Sequence, residues 1–340
     1  MRRLAILLAP LALGAVALGN AGAGTDRGSS AERATVAATR FVCHATGSAR
    51  RPYVRIRVTT RQLRTHTAHP ADIIPAPRRC PTTRLTPTAG GTAFSVNLVG
   101  ETEMPAGDPV GTGTATVRLR RGQGQVCFTM RVENIGLPSV GAHIHRGSAT
   151  ESGGIVVQFR APGANGQSSG CVAASRTLVA QILAAPAGYY VNVHTTEFPA
   201  GAIRAQLGGA RRELGRTFTT ALSGAQECSN AGACGVGDTD GAGNAVVRFR
   251  ADAPQVCFRI AVQNIRLPSV GAHIHRGAAG ANGPIVVGFT SPGANGGSSG
   301  CVAADPTVIA AILASPTGHY VNVHTTDFPG GAIRGQLPAS

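Results

Sequence analysis

The chain repeats itself. Shifted by 130 residues, positions 121–207 superpose on 251–337 without a gap, and 58 of these 87 positions are identical. The shared blocks are QVCF, LPSVGAHIHRG, IVV, PGANG, SSGCVAA, and VNVHTT followed by GAIR. Upstream the register slips by six residues, because the second copy inserts a loop between Cys228 and Cys234 after Leu222-Ser223-Gly224, the counterpart of Leu98-Val99-Gly100. A period this long is no solenoid unit, and each copy is long enough to bury a core of its own. The expected organisation is therefore a leader (1–23), a basic N-terminal module (24–90), a first domain (91–208) and a second domain (214–337), with a linker near 208–215.

Within a copy the apolar residues alternate. Val126, Phe128, Met130 and Val132 fall on one face of the segment 125–133, while Cys127, Thr129 and Arg131 fall on the other, the period of a half-buried strand. Similar strands are expected at 93–99, 114–119, 140–145, 155–159, 189–195 and 202–207, most of them separated by Gly or Pro. The segment 177–185 is the one expected helix, ended by Pro186. The 46 glycines and 21 prolines follow no Gly-X-Y period, and Lys is absent, which excludes collagen and coiled coil. The expected fold is all-β, with two tandem antiparallel β-sandwich domains, each carrying one short helix, behind a small N-terminal module.

The net charge of +15 is unevenly distributed. Arg outnumbers Asp plus Glu twelve to three in 24–90, but only eight to six in 91–210 and nine to seven in 211–340. With 4% aromatic residues and no Trp, nothing accompanies the charge that would stack or read bases, so a nucleic-acid partner is excluded and the basic stretch reads as a solvated face. Such a face can also favour an anionic cell surface. Arg2 and Arg3, the apolar run from Leu4 to Leu18 and the small residues Ala21-Gly22-Ala23 have the form of a secretory signal peptide. The run is too short to span a bilayer, so the mature chain is expected outside the cytoplasm with no integral membrane segment.

Eight cysteines suit an oxidising compartment. Cys127 and Cys171 recur as Cys257 and Cys301 at the same spacing, which predicts one bridge within each domain, each contributing roughly 3–4 kcal/mol. Cys228 and Cys234 are placed for a small loop clip, which leaves Cys43 with Cys80. Cys43, His44, His66, His69 and Cys80 form a rival set of metal ligands in the N-terminal module, but no CxxC pair accompanies them, and the disulfide is preferred.

The histidines carry the chemistry. Alternation in 140–145 places Val140, Ala142 and Ile144 on one face and His143 and His145 on the other; in 190–195 it turns Tyr190, Asn192 and His194 away from Val191 and Val193. If the two strands are neighbours, His143, His145 and His194 share one patch, and the second copy repeats it with His273, His275 and His324. Three imidazoles suit copper or zinc with a position left open. The alternative is that these rings hydrogen-bond backbone or carboxylate groups and hold loops in place. Arg146, Arg204, Arg276 and Arg334 are expected to order carboxylates such as Glu197 and Asp327, with attraction of an anionic substrate as the alternative. Asp238, Asp240 and Asn244 lack the order of an EF-hand loop and are read as a hairpin turn.

GAHIHRG, the PGANG loop and VNVHTT-x-FP-x-GAIR-x-QL resemble the CHRD domain, named after chordin and also seen in secreted microbial proteins, over 91–208 and 214–337. The resemblance implies an extracellular all-β domain, often in tandem, with no established catalytic activity. Growth-factor binding by chordin is not carried over, since the cysteine-rich modules that would argue for it are missing. A weaker likeness links Gly141–His145 and Val193-His194 to the G-x-H-x-H strand and V-H pair of Cu/Zn superoxide dismutase, implying a Greek-key sandwich. No histidine lies between His145 and His194, so that family's bridging ligand and zinc cluster have no counterpart. The leading expectation is a secreted, non-catalytic binding or structural protein with an extracellular or cell-surface partner. The alternative is a copper- or zinc-binding metalloprotein, and if it is an enzyme, a metal-dependent oxidoreductase.

Overall fold

The structure, a computed structural model, describes residues 39–48, 50–67, 72–73, 76, 78–82, 91–250 and 252–339. The expected leader, 1–23, lies outside the described residues. The N-terminal module is a hairpin of β1 (Thr39–Ala45) and β2 (Tyr53–Thr59) followed by α1 (Thr60–Thr67), a helix that the apolar pattern did not reveal. Cys43, Ala45, Tyr53 and Ile73 form its small core, closed by the Cys43–Cys80 bridge. Among the described residues no helix is long and apolar enough to cross a membrane.

The first domain contains β3 (Thr92–Val99), β4 (Thr112–Arg120), β5 (Gln125–Glu133), β6 (Gly141–Arg146), β7 (Ile155–Phe159), β8 (Gln167–Ala173), α2 (Arg176–Ala184), β9 (Tyr189–His194) and β10 (Ile203–Gln206). The second repeats it as β11 (Arg216–Ser223), β12 (Ala242–Arg250), β13 (Gln255–Gln263), β14 (Gly271–Arg276), β15 (Ile285–Gly288), β16 (Gly297–Ala303), α3 (Pro306–Ala314), β17 (His319–His324) and β18 (Ile333–Gln336). Each domain is thus an eight-stranded antiparallel sheet, in the order β7-β6-β9-β10-β3-β4-β5-β8 in the first. The sheet curls until its edge strands β7 and β8 meet. Phe128 of β5 then stacks on Phe159 of β7 at 4.2 Å, and Phe258 stacks on Phe289 in the second domain. Strand β8 is an addition to the seven expected strands; its Ser and Gly residues lack apolar alternation, and it is held instead by pairing along β5 with Cys127 facing Cys171.

Helices α2 and α3 start where side chains cap them: Ser175 Oγ accepts from the Leu178 N–H and Asp305 from that of Thr307. Pro186 and Pro316 follow each helix and open a short 3₁₀ turn into the histidine-bearing strand. The core face of β5 is as expected, with Val126, Phe128, Met130 and Val132 buried. Its opposite face is not given over to solvent, because Cys127 is buried as well. Val140, expected on the core face, is 58% exposed because the strand starts one residue later.

The two domains meet through unlike surfaces. Arg248 of β12, fully buried, donates to Glu101 Oε2 (2.6 Å) and to the Pro109 carbonyl (2.9 Å) of the first domain. Arg250 reaches the other Glu101 oxygen, Arg259 pairs with buried Asp108 at 2.7 Å, and Val110 packs on Val246 and the Cys257–Cys301 bridge. The linker turns back on the first domain, where Asn97 binds the Arg212 carbonyl and accepts from Arg211. The Cys228–Cys234 clip closes the inserted loop.

Candidate metal centres

Strands β6 and β9 are neighbours, and their register sets Gly141 across from His194, His143 across from Asn192 and His145 across from Tyr190. Side chains of facing residues share a sheet face, so all three imidazoles lie on the side away from the core, as the alternation predicts. His143 lies 5.0 Å from His194 and 5.4 Å from His145, ring centre to ring centre. In the second domain the same separations are 5.2 and 5.6 Å for His273 with His324 and His275. Gly141 makes the cluster sterically feasible: a Cβ there would sit 2.9 Å from His143 Cε1 and 3.5 Å from His194 Cδ2. Gly271 stands in the same relation to His273 and His324.

Hydrogen bonds on the far side of the rings determine which nitrogen faces inward. His145 Nδ1 is 2.7 Å from the Gly153 carbonyl, and His194 Nδ1 is 3.0 Å from that of Pro199. A carbonyl only accepts, so both Nδ1 atoms carry the proton and both Nε2 atoms carry a lone pair. His143 Nδ1, His145 Nε2 and His194 Nε2 are buried and lack a hydrogen-bond partner, and the three rings each offer a nitrogen within 4.8 Å of the others. Nitrogens bound about 2.0–2.1 Å from one ion stand about 3.5 Å apart, so capture asks for side-chain movement on the order of an ångström. Burial and the neighbouring imidazoles of His194 and His145 hold His143 at about 4, and His273 is held at about 4 in the same way. Burial also moves His194 and His275 down. At neutral pH these rings keep the lone pairs that a metal ion requires.

The face outside the core is a second, polar interior. Tyr190 is 3% exposed, stacked on His145 at 4.9 Å, with the Arg204 guanidinium 3.3 Å above its ring. Arg204 also donates to the carbonyls of Ser148 and Glu151, drawing the loop after β6 over the site. Glu103 was not legible as a site residue, because it lies upstream of 121–207, the stretch that repeats without a gap. It is buried against Arg204 and Asn192, and burial raises its carboxyl to about 7 despite both partners; Glu227 repeats this with Arg334 and Asn322. Gly201 (φ 142°) makes room for it, since a Cβ there would lie 2.4 Å from Glu103 Cδ.

Several expectations are corrected. Arg204 and Arg334 lie against the carboxyls of Glu103 and Glu227 and also donate to loop carbonyls, and Arg146 donates to Gln181; Glu197 and Asp327, the carboxylates named for them, face Arg259 at 4.0 Å and Arg266 at 3.3 Å. Of the N-terminal ligand set, Cys43 and Cys80 are taken up in a disulfide and His69 lies outside the described residues, while His44 and His66 stay together in a group that could hold a metal ion with Asp72. His44 and His66 converge on buried Asp72, 3.0 and 2.6 Å away, a partner their spacing did not suggest. Asp238 and Asp240 interact at the turn before β12 while Asn244 sits within that strand, as a hairpin requires. All eight cysteines are paired as expected.

Compared with curated proteins, the chain matches none. The family model for the CHRD domain matches residues 94–207 and again 218–337, more than half of the chain. Both stretches contain the whole histidine cluster of their copy, and with two tandem copies the chain belongs to the CHRD domain family.

Proposed function

We propose that this is an extracellular, non-catalytic tandem-domain protein whose two domains each hold one copper or zinc ion on His143, His145 and His194 or on His273, His275 and His324. One observation carries the reading: buried imidazole nitrogens without partners converge in each domain, while hydrogen bonds to the Gly153, Pro199, Gly283 and Pro329 carbonyls orient the rings from behind. A buried polar atom without a partner costs about 1–3 kcal/mol, and an ion satisfies three at once. Four disulfides and the signal-like leader support an oxidising, extracellular setting. The basic N-terminal segment supports an anionic cell surface as the partner. A non-catalytic role fits ligand atoms that are closed to solvent.

Elemental analysis of the oxidised protein after incubation with Cu²⁺ or Zn²⁺ tests this reading. Two equivalents per chain are expected, one after His143→Ala, and none after His143→Ala with His273→Ala. Copper-loaded protein is expected to show no superoxide turnover above that of the histidine variant. A folded wild-type chain that takes up no metal overturns the proposal.

A further inference from the structure

In the second domain a fourth lone pair faces the centre. Asn322 Oδ1 lies 3.1 Å from His324 Nε2. His324 Nδ1 is engaged with the Pro329 carbonyl at 3.0 Å, so Nδ1 holds the proton and Nε2 of the neutral ring is an acceptor. The amide is oriented from its other end, where its NH₂ donates to the Glu227 carboxylate, which leaves Oδ1 turned toward the imidazoles. It also interacts with His275. Two acceptors at this distance repel unless a positive centre lies between them, and His273 Nδ1 and His275 Nε2 face the same place without partners. The first domain has the corresponding asparagine without that close contact, its Oδ1 and His194 Nε2 both lacking a hydrogen-bond partner. Asn192 is 2% exposed, faces His143 across the β6–β9 ladder and donates to Glu103.

We propose that the amide oxygens of Asn192 and Asn322 are the fourth metal ligands, closing each centre as a three-nitrogen, one-oxygen site without bound water. The proposal rests on the reading that the domains bind metal, and it alters what such a centre does: with no open position, it serves as a structural site and not a hydrolytic or redox one. An oxygen donor also sets preference, favouring Zn²⁺ and Cu²⁺ over soft Cu⁺. Glu103 and Glu227 are the positioning residues. An amide turned the other way would set its oxygen against the carboxylate and offer the metal no ligand.

The full chain loaded with Cu²⁺ tests it by water-proton relaxation and electron paramagnetic resonance. The wild type should show no exchangeable water on copper. Asn192→Ala with Asn322→Ala should keep two equivalents of copper, lose on the order of 10–100-fold in affinity and admit a water. The isosteric pair Asn192→Asp with Asn322→Asp, which preserves packing should the alanine variant misfold, should bind copper tighter with a shifted hyperfine pattern. Exchangeable water on wild-type copper, or spectra and affinity unchanged in the Asp variant, overturns the amide ligand and leaves the three-histidine site standing. A wild-type chain that binds no metal overturns both.

Discussion

The two domains keep the same histidine cluster and differ where they touch. In the first, Glu101, Asp108 and Val110 form the surface that enters the contact; the second carries Ala225, Asp238 and Asp240 at those positions, so the apolar residue becomes an acid. The receiving face differs in the same way: Val246 and Arg259 of the second domain correspond to Thr116 and Thr129 of the first. A contact between unlike surfaces, kept in both copies, would let one chain add to the next without end. The substitutions leave one matched pair of these surfaces, between the first domain and the second. Duplication preserved the centre, while the contact surfaces diverged.

The largest test of that contrast is Arg248→Ala, which should cost about 3–5 kcal/mol in urea unfolding because it removes a fully buried guanidinium, leaves the Pro109 and Leu214 carbonyls without their donor and leaves Glu101 with Arg250. Arg118→Ala at the equivalent half-buried position of the first domain should cost less than about 1 kcal/mol. An equal loss at both positions would dissolve the distinction. Replacing Cys257 and Cys301 by Ser should lower stability by roughly 3–4 kcal/mol, as should replacing Cys127 and Cys171, since the loops are the same length. Any excess in the second domain measures what Val110 gains from the bridge. Val110→Ala itself should cost about 1.5 kcal/mol, against a change within about 0.5 kcal/mol for Asp240→Ala at the exposed counterpart.

The smallest effect is in pH dependence and tests what the domains share. In metal-free protein, His143 and His273, held at about 4 against 6.5 in the unfolded chain, contribute stability that is lost as pH falls from 6.5 toward 4. Glu103 and Glu227, raised to about 7 against 4.5, contribute stability that is lost as pH rises from 4.5 toward 7. The two trends oppose each other, so the melting temperature should change little between pH 4.5 and 6.5. Glu103→Gln with Glu227→Gln should tilt the profile, with stability falling on acidification; a profile that stays flat in that variant contradicts the burial assigned to these carboxyls.

Local pattern carried the fold a long way. Alternation in GAHIH and VNVH put three imidazoles on one face, because period two assigns faces without knowledge of partners. It could not reveal that this face is closed over, since Glu103, Arg204 and the Gly153 carbonyl come to it from three separate segments. It also missed β8, whose residues lack a hydrophobic rhythm, and named Glu197 and Asp327 as carboxylate partners where Arg204 and Arg334 lie against Glu103 and Glu227.

The amino-acid sequence by itself determined the duplication, the strand character and the histidine candidates, because each is written in spacing and periodicity along the chain. Only the tertiary structure decided which imidazole nitrogen points inward, that an asparagine oxygen joins them, and that the domains meet through a buried arginine. Those outcomes depend on which distant segments share a volume and on how few hydrogen-bond partners remain there once water is excluded.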